Sequence, residues 1–161
     1  MSTVFNKKAV LVAKKVLSGL APDIELIALD SAAGTAKEAA DSLGVNVGSI
    51  VKSIIVKDDT GLFYLCLCSG DKQLQLKKVS RIIGNRVIKA TAEEVKSQTG
   101  FSIGGVCPVG HLNTPAQVFL DMHLDRFDTL YAAGGHPFVV FEITYQRLLR
   151  LTNSKPKDIS A

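Results

Sequence analysis

Three places in this 161-residue sequence combine residue types that could do chemistry. The first is Lys52, set in the apolar run SIVKSIIVK at residues 49–57. The β-branched residues around it predict a buried strand, and alternation along a strand puts Lys52 on the same face as Ile50, Ile54 and Val56. An ammonium on an apolar face is costly unless its tip reaches water or an anion. Snorkelling to solvent from the start of the strand is one answer; meeting an anionic ligand at a pocket rim is the other. The second place is residues 104–110, GGVCPVG, where three glycines and a proline fall within seven positions. Glycine lets a ligand approach the main chain, and freed amides can hold a phosphate or a carbonyl oxygen. A structural bend at a sheet corner uses the same residues. The GK[ST] ending of a P-loop is missing, and no long helix follows to make a dinucleotide fingerprint. The third place is Gly134-Gly135-His136-Pro137, a tight loop before an apolar run, where His136 is either a hydrogen-bonding group or base in a pocket or a surface loop residue.

Cys107 invites a thiol-nucleophile reading, with His111 or His136 as base, although a cysteine near a histidine in sequence is a weak signal. Metal chemistry is not expected, since there is no CxxC pair and His111, His123 and His136 lack ligand-like spacing. No cofactor is expected either. Asp121, Asp125 and Asp128 read as a solvated loop. The three cysteines are odd in number, and Cys66 and Cys68 share one face of a strand where neighbours cannot easily bridge. Free thiols in a cytoplasmic protein are the natural reading. Lys7, Lys8, Lys14 and Lys15 interrupt any early apolar core, so no secretory signal is expected, and no run approaches bilayer length. The net charge of +4 permits an anionic partner. Lys72, Lys77, Lys78, Arg81, Arg86 and Lys89 could form an RNA backbone surface or simply a solvated helix face.

Apolar content of 47% and charged content of 21% suit one domain with a proper core, any disorder being confined to residues 1–3 and the tail 153–161. Val10, Ala13, Leu17 and Leu20 recur at helical spacing with lysines opposite, predicting an amphipathic helix over residues 4–20. Residues 24–29 read as a short strand. TAKEAADSLG carries Thr35 and Glu38 as a capping box, an alanine stripe and Gly44 as a stop; TAEEVKSQTG repeats that grammar with Thr91, Glu94 and Gly100. Residues 50–56 and 62–68 predict a hairpin across the turn at 58–61. Residues 75–83 look helical, 117–120, 129–133 and FVVFEI read as strands, and 146–151 as a last helix capped by Thr144. Strands and helices interleave without regular alternation, which predicts a mixed, partly closed sheet with helices outside it.

Taken in order, TAKEAADSLGV, IVKSIIV, SGDKQLQLKKV, GGVCPVGH and YAAGGHPFVVFEIT resemble the YbaK/ProX-like editing proteins, relatives of the editing domain of bacterial prolyl-tRNA synthetases. The likeness covers residues 24–151, preceded by an N-terminal helix in residues 1–23. It implies an α/β protein of α+β type: a compact single domain with a curved, partly closed mixed β-sheet flanked by helices. It also implies a trans-editing hydrolase that cleaves the ester of a mischarged aminoacyl-tRNA, a small amino acid such as Cys or Ala on tRNA(Pro). The 3′ acceptor end of the tRNA is then the ligand, and prolyl-tRNA synthetase a candidate partner.

By the same resemblance Lys52 takes the place of the family's pocket lysine, and Gly104 and Pro108 match its GxxxP loop, with Gly110 continuing the pattern. Gly134 and Gly135 match the small-residue loop of the opposite wall. The implied mechanism needs no covalent nucleophile: the ester carbonyl rests on amides of the 104–110 loop, and water attacks with help from the vicinal ribose hydroxyl. A pocket lined by Ile50, Ile54, Gly105, Cys107, Gly134, Gly135 and His136 would admit only small side chains. Two other classes compete: a tRNA- or synthetase-binding module without hydrolysis, and a hydrolase built on a Cys107–His dyad.

Overall fold

The computed structural model describes residues 3–30 and 34–161. Residues 1 and 2, part of the segment expected to be loose, lie outside that range. Thr3–Asn6 forms a short 3-10 turn leading into α1 (Lys8–Leu20), which buries Val10, Ala13 and Leu17. Leu20 is exposed, so the apolar stripe ends one turn earlier than its spacing indicates. β1 is Leu26–Ala28. α2 (Ala36–Leu43) starts where the Thr35 hydroxyl accepts from the Glu38 amide and stops at Gly44, which takes the left-handed conformation at φ 71°.

The expected hairpin is present as β2 (Val51–Asp58) and β3 (Phe63–Ser69), with Val51 opposite Ser69 and Lys57 opposite Phe63. Its turn is locked by Asp58. Hydrogen bonds from the Thr60 hydroxyl, then from the Tyr64 hydroxyl and the Leu62 and Thr60 amides, hold its carboxyl down at about 2. α3 is Leu76–Ile83, and β4 is Val87–Lys89. α4 (Ala92–Thr99) begins with a complete capping box, Thr91 accepting from the Glu94 amide and Glu94 from that of Thr91. β5 (Val118–Asp121), β6 (Leu130–His136), β7 (Val139–Ile143) and α5 (Tyr145–Thr152) follow, with Thr144 capping α5. β8 is Lys155–Lys157.

The strands form two sheets where one was expected. A three-stranded antiparallel sheet runs β1-β7-β6, and a five-stranded mixed sheet runs β4-β2-β3-β5-β8, with β3–β5 and β5–β8 parallel. Among the described residues one parallel bridge, Ile50 to Tyr131, joins their backbones. The closure fails because β6 leaves β2 after that bridge, and the same edge of β2 is next taken by β4, from Val56 onward. Alternation divides β2 and β3 between two cores. Val51, Ile55, Leu65 and Leu67 face the space between the sheets and pack with α1, α5 and Phe141. Ile54, Val56, Tyr64, Cys66 and Cys68 face the other way, under α3. α2 lies over the seam, with Ala39 and Ala40 against Ile50.

Two expectations are corrected by long-range contacts. The 153–161 tail is ordered: β8 pairs with β5, Ile159 is fully buried, and Gln73 and Ala161 exchange both backbone hydrogen bonds. Asp121 is not in a solvated loop. It is fully buried and accepts from the Ser69 amide, the Ser160 hydroxyl and the His123 amide, with the His123 ring 2.7 Å away. Among the described residues no helix is long and apolar enough to cross a membrane.

Candidate active site

The departure of β6 and the late arrival of β4 leave part of the β2 edge uncovered. Between Ile50, bridged to Tyr131, and Val56, paired with Lys89, that edge faces a cavity of about 280 Å³. Five consecutive residues, Ile50, Val51, Lys52, Ser53 and Ile54, line it. A strand's side chains alternate between faces, so such a run can line one cavity only when the strand is met along its edge. Backbone groups on an uncovered edge are unpaired donors and acceptors. Ile55 directs its carbonyl to this side, accepting from the Ala90 amide. Ser53, of the same parity, therefore turns its own N–H and C=O groups toward the cavity. The remaining walls come from Thr35, Ala36 and Ala39 at the start of α2, from Ile103, Gly104 and Val106, and from Tyr131, Ala133, Pro137 and Val140 of the smaller sheet.

Lys52 is half-buried, and its Nζ donates to the Lys72 carbonyl at 2.5 Å. Among the described residues no carboxylate pairs with it. One ammonium proton is thus held, and the others remain for a ligand at the rim. Ser53 points the other way, and its Oγ is buried without a hydrogen-bond partner among the described residues. Leaving a buried hydroxyl unpaired costs about 1–3 kcal/mol, which a ligand group placed in the cavity would recover.

The two glycine loops meet. A Cβ on Gly105 would come within 2.8 Å of the His136 Cα, and one on Gly104, which sits at φ 88°, would come 3.4 Å from the Pro137 ring. Gly105 commits its amide to the Ser102 carbonyl at 2.9 Å. Among the described residues no carbonyl accepts from the amides of Gly104 or Val106, both at the cavity wall. Ile103, largely exposed, forms the lip.

Several expected site residues lie elsewhere. Cys107 is a core residue between the sheets, fully buried, and burial pushes its thiol up to about 12. The His111 Nε2 lies 2.7 Å from the Cys107 carbonyl, not on its sulfur, and burial lowers the His111 pKa. The Cys107–His111 dyad is therefore not assembled. Pro108 is buried behind the wall, and Gly110 lines a separate groove with Val12, Phe101 and Leu112. Gly134 packs on Leu26 and Val139, and Gly135, at φ 100°, on the Ala9 carbonyl of α1. His136 uses Nδ1 to accept from the Phe138 amide at 3.1 Å, so it is not free as the base for Cys107. Burial, then the charge of Lys7, keeps it below its usual pKa. These three residues form a bulge in β6 that backs the wall, while Ala133 and Pro137 on either side of it reach the cavity. Of the expected residues, Lys52, Ile50, Ile54 and Gly104 line the cavity together. Ser53, Thr35 and Tyr131 line it without having been singled out from sequence. A lone hydroxyl inside an apolar strand was the one available sign for Ser53, whereas Thr35 reads fully as a helix cap. Among the described residues no group of three or more His, Cys, Asp or Glu side chains could hold a metal.

The cavity thus combines an uncovered strand edge, small and apolar walls, and an ammonium that is bound through one proton to the Lys72 carbonyl. The chain belongs to the aminoacyl-tRNA editing domain family, whose profile matches residues 30–151, and it is an aminoacyl-tRNA deacylase by class. It is 36% identical to a crystal structure described as a "putative trans-editing enzyme for prolyl tRNA synthetase", with a TM-score of 0.91 over 96% of this chain and 98% of that one. Protein YwhH of Bacillus subtilis is 32% identical over 126 residues, covering 78% of this chain and 80% of its own. EbsC of Enterococcus faecalis, a "putative Cys-tRNA(Pro)/Cys-tRNA(Cys) deacylase", is 23% identical over 78% of this chain and 77% of its own.

Proposed function

We propose that the protein acts in the cytoplasm in trans, removing a small amino acid, cysteine or alanine, from tRNA(Pro), with prolyl-tRNA synthetase as its partner. The observation that carries this reading is the 280 Å³ cavity on the β2 edge, walled by Ile50, Ala39, Val106 and Val140, with Lys52 at its rim. That volume is below the range of drug-sized ligand sites, and suits a short side chain on its ester better than a larger residue. The names of the trans-editing neighbour and of EbsC point to the same substrates.

In this reading the aminoacyl group enters the gap between β6 and β4. The ester carbonyl accepts from the amides of Gly104 and Val106, which can strengthen those bonds as negative charge develops on oxygen. Ser53 receives the substrate's α-amino group at its unpaired hydroxyl and at the strand edge. Lys52 holds ribose or phosphate oxygens of the 3′ end, a task that suits a compact charge on a long stem. Water adds to the carbonyl carbon, assisted by the vicinal ribose hydroxyl, and the ester C–O bond breaks. The products are the free amino acid and a tRNA with a restored hydroxyl. Selection is steric, as in a second sieve. A panel of mischarged tRNAs tests this: cysteine or alanine should be released from tRNA(Pro) while proline is retained. Failure of the wild-type protein to release any member of the panel would overturn it.

A further inference from the structure

α3 packs Val79, Ile82 and Ile83 over the face of the larger sheet that carries Ile54, Val56 and Cys66. Lys52 shares that face, and the carbonyl it binds belongs to Lys72, four residues before α3 begins. The helix thus starts beside the cavity rim. Its other end lies near the far end of β2, where the Asn85 amide group reaches Asp58 at 3.5 Å. Along the outer side run Lys77 and Arg81, one turn apart, and then Arg86 after the Gly84 cap, all exposed. None of the three has an ion pair among the described residues, whereas Lys37, Lys78, Arg126 and Arg147 each pair with an aspartate. The three cations border a shallow, open groove whose lining contains no carboxylate.

We infer that this line of cations is a track for the backbone of the acceptor stem of the same tRNA whose aminoacylated end enters the cavity, an inference that rests on the deacylase reading above. An open groove without acidic groups is poorly shaped for a small molecule but suits a line of phosphates. Arginine forks and lysine point charges supply the contacts that such backbones accept. Duplex RNA is held largely by shape and backbone, with little demand on sequence. The track starts at the rim, so a strand leaving the cavity past Lys52 runs directly onto it.

The test compares Lys77→Glu/Arg81→Glu with Lys14→Glu/Lys15→Glu, an equal change of charge at exposed positions of α1. Melting curves first establish that both variants fold. Binding of uncharged tRNA(Pro) is then measured between 50 and 200 mM salt, on the order of the range over which such contacts are resolved. The α3 variant should bind at least about tenfold more weakly, with its log–log salt slope shallower by roughly 1.4–1.8, or about 0.7–0.9 per lost contact. The α1 variant should stay close to wild type. On alanyl-tRNA(Pro) the α3 variant should show a raised KM with kcat unchanged. On an alanylated 3′-terminal trinucleotide, too short to reach the track, it should match wild type. Equal weakening in both variants, or none in either, overturns the track. So does unchanged tRNA binding with lost binding to prolyl-tRNA synthetase. Wild-type protein that hydrolyses neither substrate would sink the deacylase reading, while the tRNA-binding arm would still decide the track.

Discussion

Methionine at position 52 keeps most of the lysine stem while removing the ammonium and its bond to the Lys72 carbonyl. Lys52→Met should melt within a few degrees of wild type. Its deacylation rate should fall by a factor of about 100, the effect of losing one charge-assisted contact worth roughly 2–3 kcal/mol in the transition state. Full activity in a folded variant would return Lys52 to a snorkelling role. Ser53→Ala should behave in the opposite way on stability. It deletes a buried hydroxyl that has no partner among the described residues, so the melting temperature should rise, by about 1 kcal/mol of added stability. Deacylation should fall nonetheless, and a variant that gains stability at unchanged kcat/KM would remove Ser53 from the site. Lys52 was legible in the sequence because a charge in an apolar run breaks a pattern. Ser53 was not, because a small polar residue in a strand breaks nothing. The sequence places Cys107 on the wall because a core thiol and a wall thiol look alike in sequence. Only the turn of the loop, fixed by the His111 bond to the Cys107 carbonyl, separates them.

The β2–β3 hairpin has a pH limit built into its turn. Hydrogen bonds from Thr60, Tyr64 and Leu62 hold the Asp58 carboxyl at about 2, below its ordinary value of 3.8. A group with a lowered folded pKa contributes its full stability above its unfolded pKa and loses it as pH falls toward the folded one. Melting temperature should therefore drop between about pH 4 and pH 2, and Asp58→Asn should flatten that dependence relative to wild type. Identical pH profiles for the two proteins would refute this role for the turn. This hairpin and the capped helices α2, α4 and α5 were readable because their determinants are local: a turn cluster, a threonine cap, a glycine stop. β4 and β8 were not readable. Each is three residues long, and β8 reads Lys-Pro-Lys, a sequence with no strand preference that is paired only because β5 presents a free edge. Asp121 was misplaced for the same reason, since Ser69 and Ser160, two of the residues that satisfy it, are 52 and 39 residues away.

At the scale of the molecule, the 154–161 segment supports the site from behind. It inserts Ile159 under α3, satisfies Asp121 through Ser160, and pairs Ala161 with Gln73, next to the carbonyl that holds Lys52. Truncation after Asn153 should lower the melting temperature by on the order of 10 °C, through lost apolar burial and a buried carboxylate left short of donors. Deacylation measured where the truncated protein is still folded should also fall. Native rates there would separate the tail from the lysine. The fold class and the helix-flanked mixed strands were legible from the pattern of elements. The division into two sheets was not, because it depends on where β6 leaves β2. Among the described residues the two sheets share one bridge, Ile50 to Tyr131, so the cavity spans a joint held largely by side-chain packing. Ladder spacing is fixed by backbone geometry, whereas packed side chains yield to a change of one methylene. In the proposed reading the size limit of the cavity is therefore inherited from residues such as Phe141 and Leu130, which lie outside its lining, so a change in the core would alter which side chains are admitted while every residue at the rim stays the same.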